Sequence, residues 1–172
     1  MSREVRYLGL SNVTADQVRR AHAVAPVVAI QYEYSLWRRE VESELLPTLR
    51  ALGIGLVPWS PLGSGFLTGQ VDQLAENDFR RNNPRYSGGK LDANRDRFAP
   101  LIELARAGCD ACAVGPGPAF ASGSRHRSNS GDAASGAHRR KRTAATIVLD
   151  SALLEEIDKL ARRGLASGAT LL

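Results

Sequence analysis

Short apolar runs near positions 5, 27 and 54 alternate along this chain with stretches of helical period. Val5 to Leu10 is predicted as a strand. Thr14 then offers an N-cap, and Gln17 three residues on completes a capping box. Val18 and Ala21 give that helix an apolar face, and it is predicted to run to about Ala23, with His22 as a surface residue. Val27 to Gln31 reads as the second strand. After a turn region from Leu36 to Glu40, Leu45, Leu46, Leu49 and Leu52 recur at helical spacing. Pro47 fits a helix that starts near Ser43, because a proline in the first turn gives up little. Glu42 and Glu44 suit the amino end of its dipole. Ile54 to Trp59 is a third run, bounded by turn formers as in a buried parallel strand. Gly53 stands where the preceding helix ends, and Pro61 stops the strand.

Strands alternating with helices in this way indicate successive βα units and a parallel sheet. Gln70 to Lys90 is a polar connection, and a long loop after such a strand is expected to serve as a lid or to be mobile. Leu91 to Ala107 is predicted as a helix with Leu101, Ile102 and Leu104 inward and Pro100 as a kink. From Gly108 to Thr143 neither period is present, and Gly, Pro and Ser accumulate. Order returns with Ile147, Val148 and Leu149, then Asp150 as an N-cap and a helix carrying Leu153, Leu154, Ile157 and Leu160, closed by Gly164. The chain therefore divides into three: 1–107 with three βα units, 108–146 irregular and basic, and 147–172 with a strand-like stub and a helix.

Charge changes the picture only locally. Of the formal net charge of +5, all is accounted for by Arg125, Arg127, Arg139, Arg140, Lys141 and Arg142 against Asp132. The basic stretch 125–142 could contact nucleic acid or an acidic partner. It lacks interleaved aromatic residues for base stacking, so nucleic acid is disfavoured against a solvated, disordered tract. Two cysteines do not make a disulfide framework, and no signal-peptide pattern or long apolar run is present, which points to the cytoplasm. Cys109 and Cys112 have CxxC spacing, but His126 and His138 are poorly placed to complete a zinc site, so no metal site is assigned.

The stretch with the most chemistry is Gly53 to Gly69. Ser60-Pro61-Leu62-Gly63-Ser64-Gly65 is a loop of small residues at a strand's carboxyl end, where α/β folds place ligands. No lysine follows the glycines, so it is not a Walker loop. Thr68 stands where a GxGxxG motif needs its third glycine. On composition alone a structural βα turn is the favoured reading, with phosphate binding as the alternative.

The wording of that stretch, GIGLVPWSPLGSGFLTG, resembles the seventh strand and following loop of the aldo-keto reductases. Val5-Arg6-Tyr7-Leu8-Gly9-Leu10-Ser11-Asn12 and Ile30-Gln31-Tyr32-Glu33-Tyr34-Ser35-Leu36 resemble earlier blocks of the same family, in family order. The resemblance covers roughly residues 4 to 107. It implies part of a (β/α)8 barrel, its carboxyl-terminal half, without the first four strands and without the eighth. A whole barrel typically takes about 250 residues. It also implies NADP as cofactor, a small aldehyde or ketone as substrate, and no metal: hydride leaves the nicotinamide while a tyrosine, tuned by an aspartate and a lysine, donates a proton.

Those catalytic residues belong to the amino-terminal half of the barrel, and these 172 residues contain no match to them; Tyr7, Tyr32, Tyr34 and Tyr86 lie outside the catalytic motif. No catalytic residue is assigned, and the chain alone is expected to be inactive. Cofactor residues carry over position by position: Ser11, Asn12 and Gln31 to the nicotinamide carboxamide, Trp59 to the ring that stacks on the nicotinamide, and Ser60, Leu62, Gly63 and Ser64 to the ribose and pyrophosphate. The adenosine-phosphate loop is absent from this reading frame. Read one base later with freely chosen synonymous codons, the segment from Gly123 permits Gly-Arg-Asp-Ile-Val-Pro-Ile-Pro-Gly-Thr, which resembles the family's eighth strand and NADPH-phosphate loop. The region 108–143 therefore reads as frameshifted.

An open parallel sheet would leave its outer strands, Val5 to Leu10 and Ile54 to Trp59, with unpaired backbone groups. Apolar surface from Leu8, Val28, Ile30 and Val57 or their neighbours is expected on the uncovered face, with a chain that is molten, aggregated or self-associated through its open edges as the outcome.

Overall fold

The computed structural model describes residues 5–69, 71, 73–108, 151–162 and 164–169, with backbone alone for 105–108. Three strands, β1 (Leu8–Ser11), β2 (Val27–Glu33) and β3 (Gly55–Trp59), form one parallel sheet in the order β1-β2-β3. Helix α1 (Ala15–Val24) connects β1 to β2, and α2 (Leu45–Leu52) connects β2 to β3. Helices α3 (Lys90–Gly108) and α4 (Ser151–Leu160) follow. This is the α/β architecture of a partial barrel. The stub at 147–149, the cap at Asp150, the cysteine pair and the basic stretch lie outside the described residues.

Local chemistry sets the element ends. Thr14 caps α1 through its hydroxyl, which accepts from Gln17 N, while the Gln17 side chain accepts from Thr14 N at 2.8 Å. Gly53 ends α2 in the left-handed region, φ +68°, with its N–H on the Leu49 and Arg50 carbonyls. Pro47 occupies the first turn of α2, which begins at Leu45 after a single 3-10 turn, Glu40–Glu42, rather than near Ser43. Strand β1 starts three residues later than expected, because pairing begins only at Leu8 with Val27 and nothing buries Val5 or Tyr7, which are 61% and 75% exposed. Strand β2 runs two residues longer, to Glu33, since it is paired on both sides.

Two apolar clusters hold the unit together. One lies between the sheet and α1 and α2: Val18, Val27, Ile30, Tyr34, Leu45, Leu46, Leu49 and Leu56. The other is built on Trp37, Phe66, Tyr86 and Phe98, and takes in Leu101, Ile102 and, from α4, Ile157. Arg39, nearly buried, donates to both Glu42 oxygens and to the Ala161 carbonyl and pairs with Asp158 at 2.6 Å, which fixes α4.

Three expectations are corrected. Ile30 does not face an empty barrel interior: it is fully buried with Leu56 beneath α1 and α2. Strand alternation leaves Gly9, Ser11, Ala29, Gln31, Glu33, Gly55, Val57 and Trp59 on the other face, most of them small or polar and half-buried or exposed. Of the apolar residues expected there, Val57 is half-buried, while Leu8 and Val28 are exposed near the amino ends of β1 and β2. The described part of the connection 70–90 is packed rather than free, because Arg85 is buried against the Trp37 ring, Tyr86 is buried in the second cluster and Phe79–Asn82 forms a 3-10 turn. His22 is half-buried rather than on the surface, and its Nδ1 accepts from Val27 N at 3.2 Å.

Candidate cofactor site

The carboxyl ends of the three strands bring four of the expected residues into contact. Ser11 ends β1, and its hydroxyl donates to Gln31 Oε1 on β2 at 3.3 Å. Asn12 N donates to the Gln31 carbonyl at 3.0 Å. The Trp59 indole N–H, at the end of β3, donates to Asn12 Oδ1 at 3.2 Å. One hydrogen-bonded chain thus crosses from β3 to β1 to β2. The two side-chain bonds end on the amide oxygens, Oε1 of Gln31 and Oδ1 of Asn12, so both side-chain NH₂ groups keep donor capacity for a ligand carbonyl. The bond to Asn12 also fixes the edge of the indole ring, so that its face can stack on a planar heterocycle.

The loop after β3 supplies the remaining four. Gly63 N donates to the Ser60 carbonyl at 2.9 Å, and Ser64 N donates to Ser60 Oγ at 3.0 Å. The Ser60 and Ser64 hydroxyls are 3.3 Å apart. Leu62, half-buried, accepts at its carbonyl from Gly65 N and Leu67 N. Gly63 packs directly on Trp37: a β-carbon there would lie 2.4 Å from Trp37 Cε3.

Backbone strain singles out the same set. The non-glycine residues with positive φ among those described are Asn12 (+52°), Ser60 (+53°) and Ser64 (+53°), and all three are candidate cofactor residues. Such conformations cost of order 1–3 kcal/mol each and concentrate at functional sites. The sequence carried no signal for this at the serines, since serine is not a residue that announces a left-handed turn.

Other residues border the site that the sequence did not single out. Glu33 lies two residues beyond Gln31 on the same strand face, a position that period-two alternation could have found. Burial pushes its carboxyl above the usual carboxylate range, with Arg85 and then Arg38 pulling it back. Both cations stand just beyond hydrogen-bond distance, Arg85 Nη1 at 3.9 Å and Arg38 Nε at 3.8 Å. Arg85 comes from the connection 70–90, lies over the Trp37 ring at 5.5 Å and donates to the Gly168 carbonyl at 3.1 Å. From the same connection, Arg80 donates to the Ser64 carbonyl at 3.0 Å and is held by both oxygens of Asp78, whose carboxyl its hydrogen bonds keep at about 2. Among the described residues no group of three or more His, Cys, Asp and Glu could hold a metal, and no helix is long and apolar enough to cross a membrane.

Comparison with known proteins places this geometry. Residues 4–114 match the model of the aldo/keto reductase family. A Glycine max protein named "Probable aldo-keto reductase 1" is 43% identical over 105 residues, which is 60% of this chain and 30% of that protein. The structure of a glycerol dehydrogenase from Gluconobacter oxydans superposes with a TM-score of 0.78 at 20% identity, covering 97% of this chain and 52% of the other. The chain thus spans about a third of that curated relative's length and about half of that solved structure's. By the family match and the resemblance of its strands and loops, the chain belongs to the aldo/keto reductase family of oxidoreductases.

Proposed function

We propose that these residues form the cofactor-side half of an NADP-dependent carbonyl reductase barrel, competent to hold the nicotinamide end of the cofactor and not to turn over substrate unaided. The hydrogen-bonded chain Trp59–Asn12–Gln31–Ser11 at the ends of three adjacent strands carries this reading. A nicotinamide carboxamide needs donors for its carbonyl and an acceptor for its NH₂. Asn12 and Gln31 offer the former, and the Ser11 hydroxyl, with lone pairs to spare, offers the latter. The Trp59 face would stack on the ring, and Ser60, Leu62, Gly63 and Ser64 would line the ribose and pyrophosphate, where small residues let phosphate approach the backbone. The cofactor, when bound, supplies the hydride that reduces an aldehyde or ketone. The residues here bind and orient; a tyrosine positioned as proton donor, with its aspartate and lysine, is what they lack. The region 108–143, in this proposal, is the family's remaining cofactor loop read in the wrong frame.

The reading is tested by following NADPH oxidation by the purified chain with a panel of aldehydes. No consumption above the protein-free blank is expected. Sustained turnover would overturn the claim that the chain does not act unaided.

A further inference from the structure

The candidate loop is held from behind by a residue that no part of the site itself requires. Tyr86, buried in the aromatic cluster, donates its hydroxyl to the Gly63 carbonyl at 2.6 Å. Burial keeps that phenol protonated far above its usual range, so it remains a donor at any physiological pH. A peptide unit is planar and trans, so fixing a carbonyl fixes the N–H on its far side. The N–H opposite the Gly63 carbonyl is that of Ser64, and it donates to Ser60 Oγ. Ser60 Oγ in turn meets Ser64 Oγ. A direct sequence of contacts therefore runs from Tyr86 through one peptide plane to the two serine hydroxyls. Trp37 packs under Gly63 on the same side, so the plane cannot roll toward the core.

We propose that Tyr86 is a positioning residue for nucleotide binding: through the Gly63–Ser64 peptide it sets the direction in which Ser60 and Ser64 present their hydroxyls to the ribose and pyrophosphate. This rests on the cofactor reading above and goes beyond it in naming a residue, outside the loop, that acts without touching ligand. Tyr86→Phe keeps the ring in the Trp37–Phe66–Phe98 cluster and removes one hydrogen bond. Without it the Gly63 carbonyl keeps only Phe66 N, at 3.1 Å, so one bond instead of two holds the peptide plane and the two serines present a broader range of arrangements.

The test is titration of the 172-residue chain and of Tyr86→Phe with NADP⁺, read by quenching of tryptophan fluorescence, alongside the unfolding midpoint of each. Gly53→Ala, a helix-ending glycine with open space around its α-carbon, serves as a control that loses stability without touching the loop. Tyr86→Phe is expected to bind about three- to tenfold more weakly than the native chain, the range of one lost hydrogen bond, while Gly53→Ala binds normally. Native binding with unchanged affinity in Tyr86→Phe overturns the positioning role and leaves the cofactor reading intact. Equal weakening in Gly53→Ala also overturns it, because stability alone would then explain the loss. No saturable binding by the native chain overturns the cofactor reading and this inference with it.

Discussion

Replacing Gly63 by alanine separates two costs that the structure places at one residue. The first is conformational. Gly63 has φ +56°, and a β-carbon in the left-handed region costs roughly 1–2 kcal/mol. The second is steric. The new carbon would stand 2.4 Å from Trp37 Cε3 and 3.2 Å from Cζ3. Trp37 has nowhere to retreat: it is 4% exposed, with ring centroids of Phe66 at 3.9 Å, Tyr86 at 5.4 Å and Phe98 at 6.1 Å, and the Arg85 guanidinium over its face. Overpacking a closed core typically costs about 1–3 kcal/mol. Gly63→Ala should therefore lose about 2–5 kcal/mol. Gly53→Ala shares the first cost, at φ +68°, and escapes the second, since nothing lies within 4 Å of its added carbon; it should lose only about 1–2 kcal/mol. Denaturant unfolding followed by tryptophan fluorescence measures both, with equal slopes required for the comparison. If the two variants lose the same stability, the close packing of Trp37 on the loop is refuted.

Two further outcomes follow from the sheet and its buried charges. Glu33 titrates above its ordinary value in the folded chain, so its protonated form is the one folding favours, and its contribution to stability is present below the unfolded value and fades as pH rises through the folded one. Relative to Glu33→Gln, the native chain should gain stability as pH falls from neutral toward the ordinary carboxylate range; the opposite slope would show that Arg85 and Arg38 outweigh burial. Among the described residues β1 and β3 each pair on one side only, so light scattering is expected to find the chain associated rather than monomeric. A monodisperse monomer with one cooperative transition would contradict that.

How much of this was legible in the sequence differs by kind of signal. The capping box at Thr14, the glycine stop at Gly53 and the leucine spacing of α2 act within a few residues, and each sits within a residue or two of its expected place. Strand ends were less legible, because what ends β1 and extends β2 is the neighbour each strand finds. The exposed face of the sheet was misread at Ile30, since an apolar strand residue does not say which face it serves until the helices are placed. The four residues at the strand ends were read from motif wording alone, and the structure brings them into one hydrogen-bonded chain. The support behind them was not legible: Arg85 and Tyr86 come from a polar connection with no period, and their burial depends on an aromatic cluster gathered from four separate segments.

In the function proposed above, the ends of β1, β2 and β3 hold a nicotinamide. The chain has two tryptophans, and they stand as site and control. Trp59 is half-buried at the end of β3 with its indole N–H on Asn12, while Trp37 is buried on the far side of Gly63. Nicotinamide mononucleotide titrated into nitrogen-15-labelled chain should shift the Trp59 indole resonance and the Asn12 and Gln31 side-chain amides together, saturably, with Trp37 little moved. A titration in which those three stay still, or in which Trp37 moves as far as Trp59, would contradict the assignment of the site.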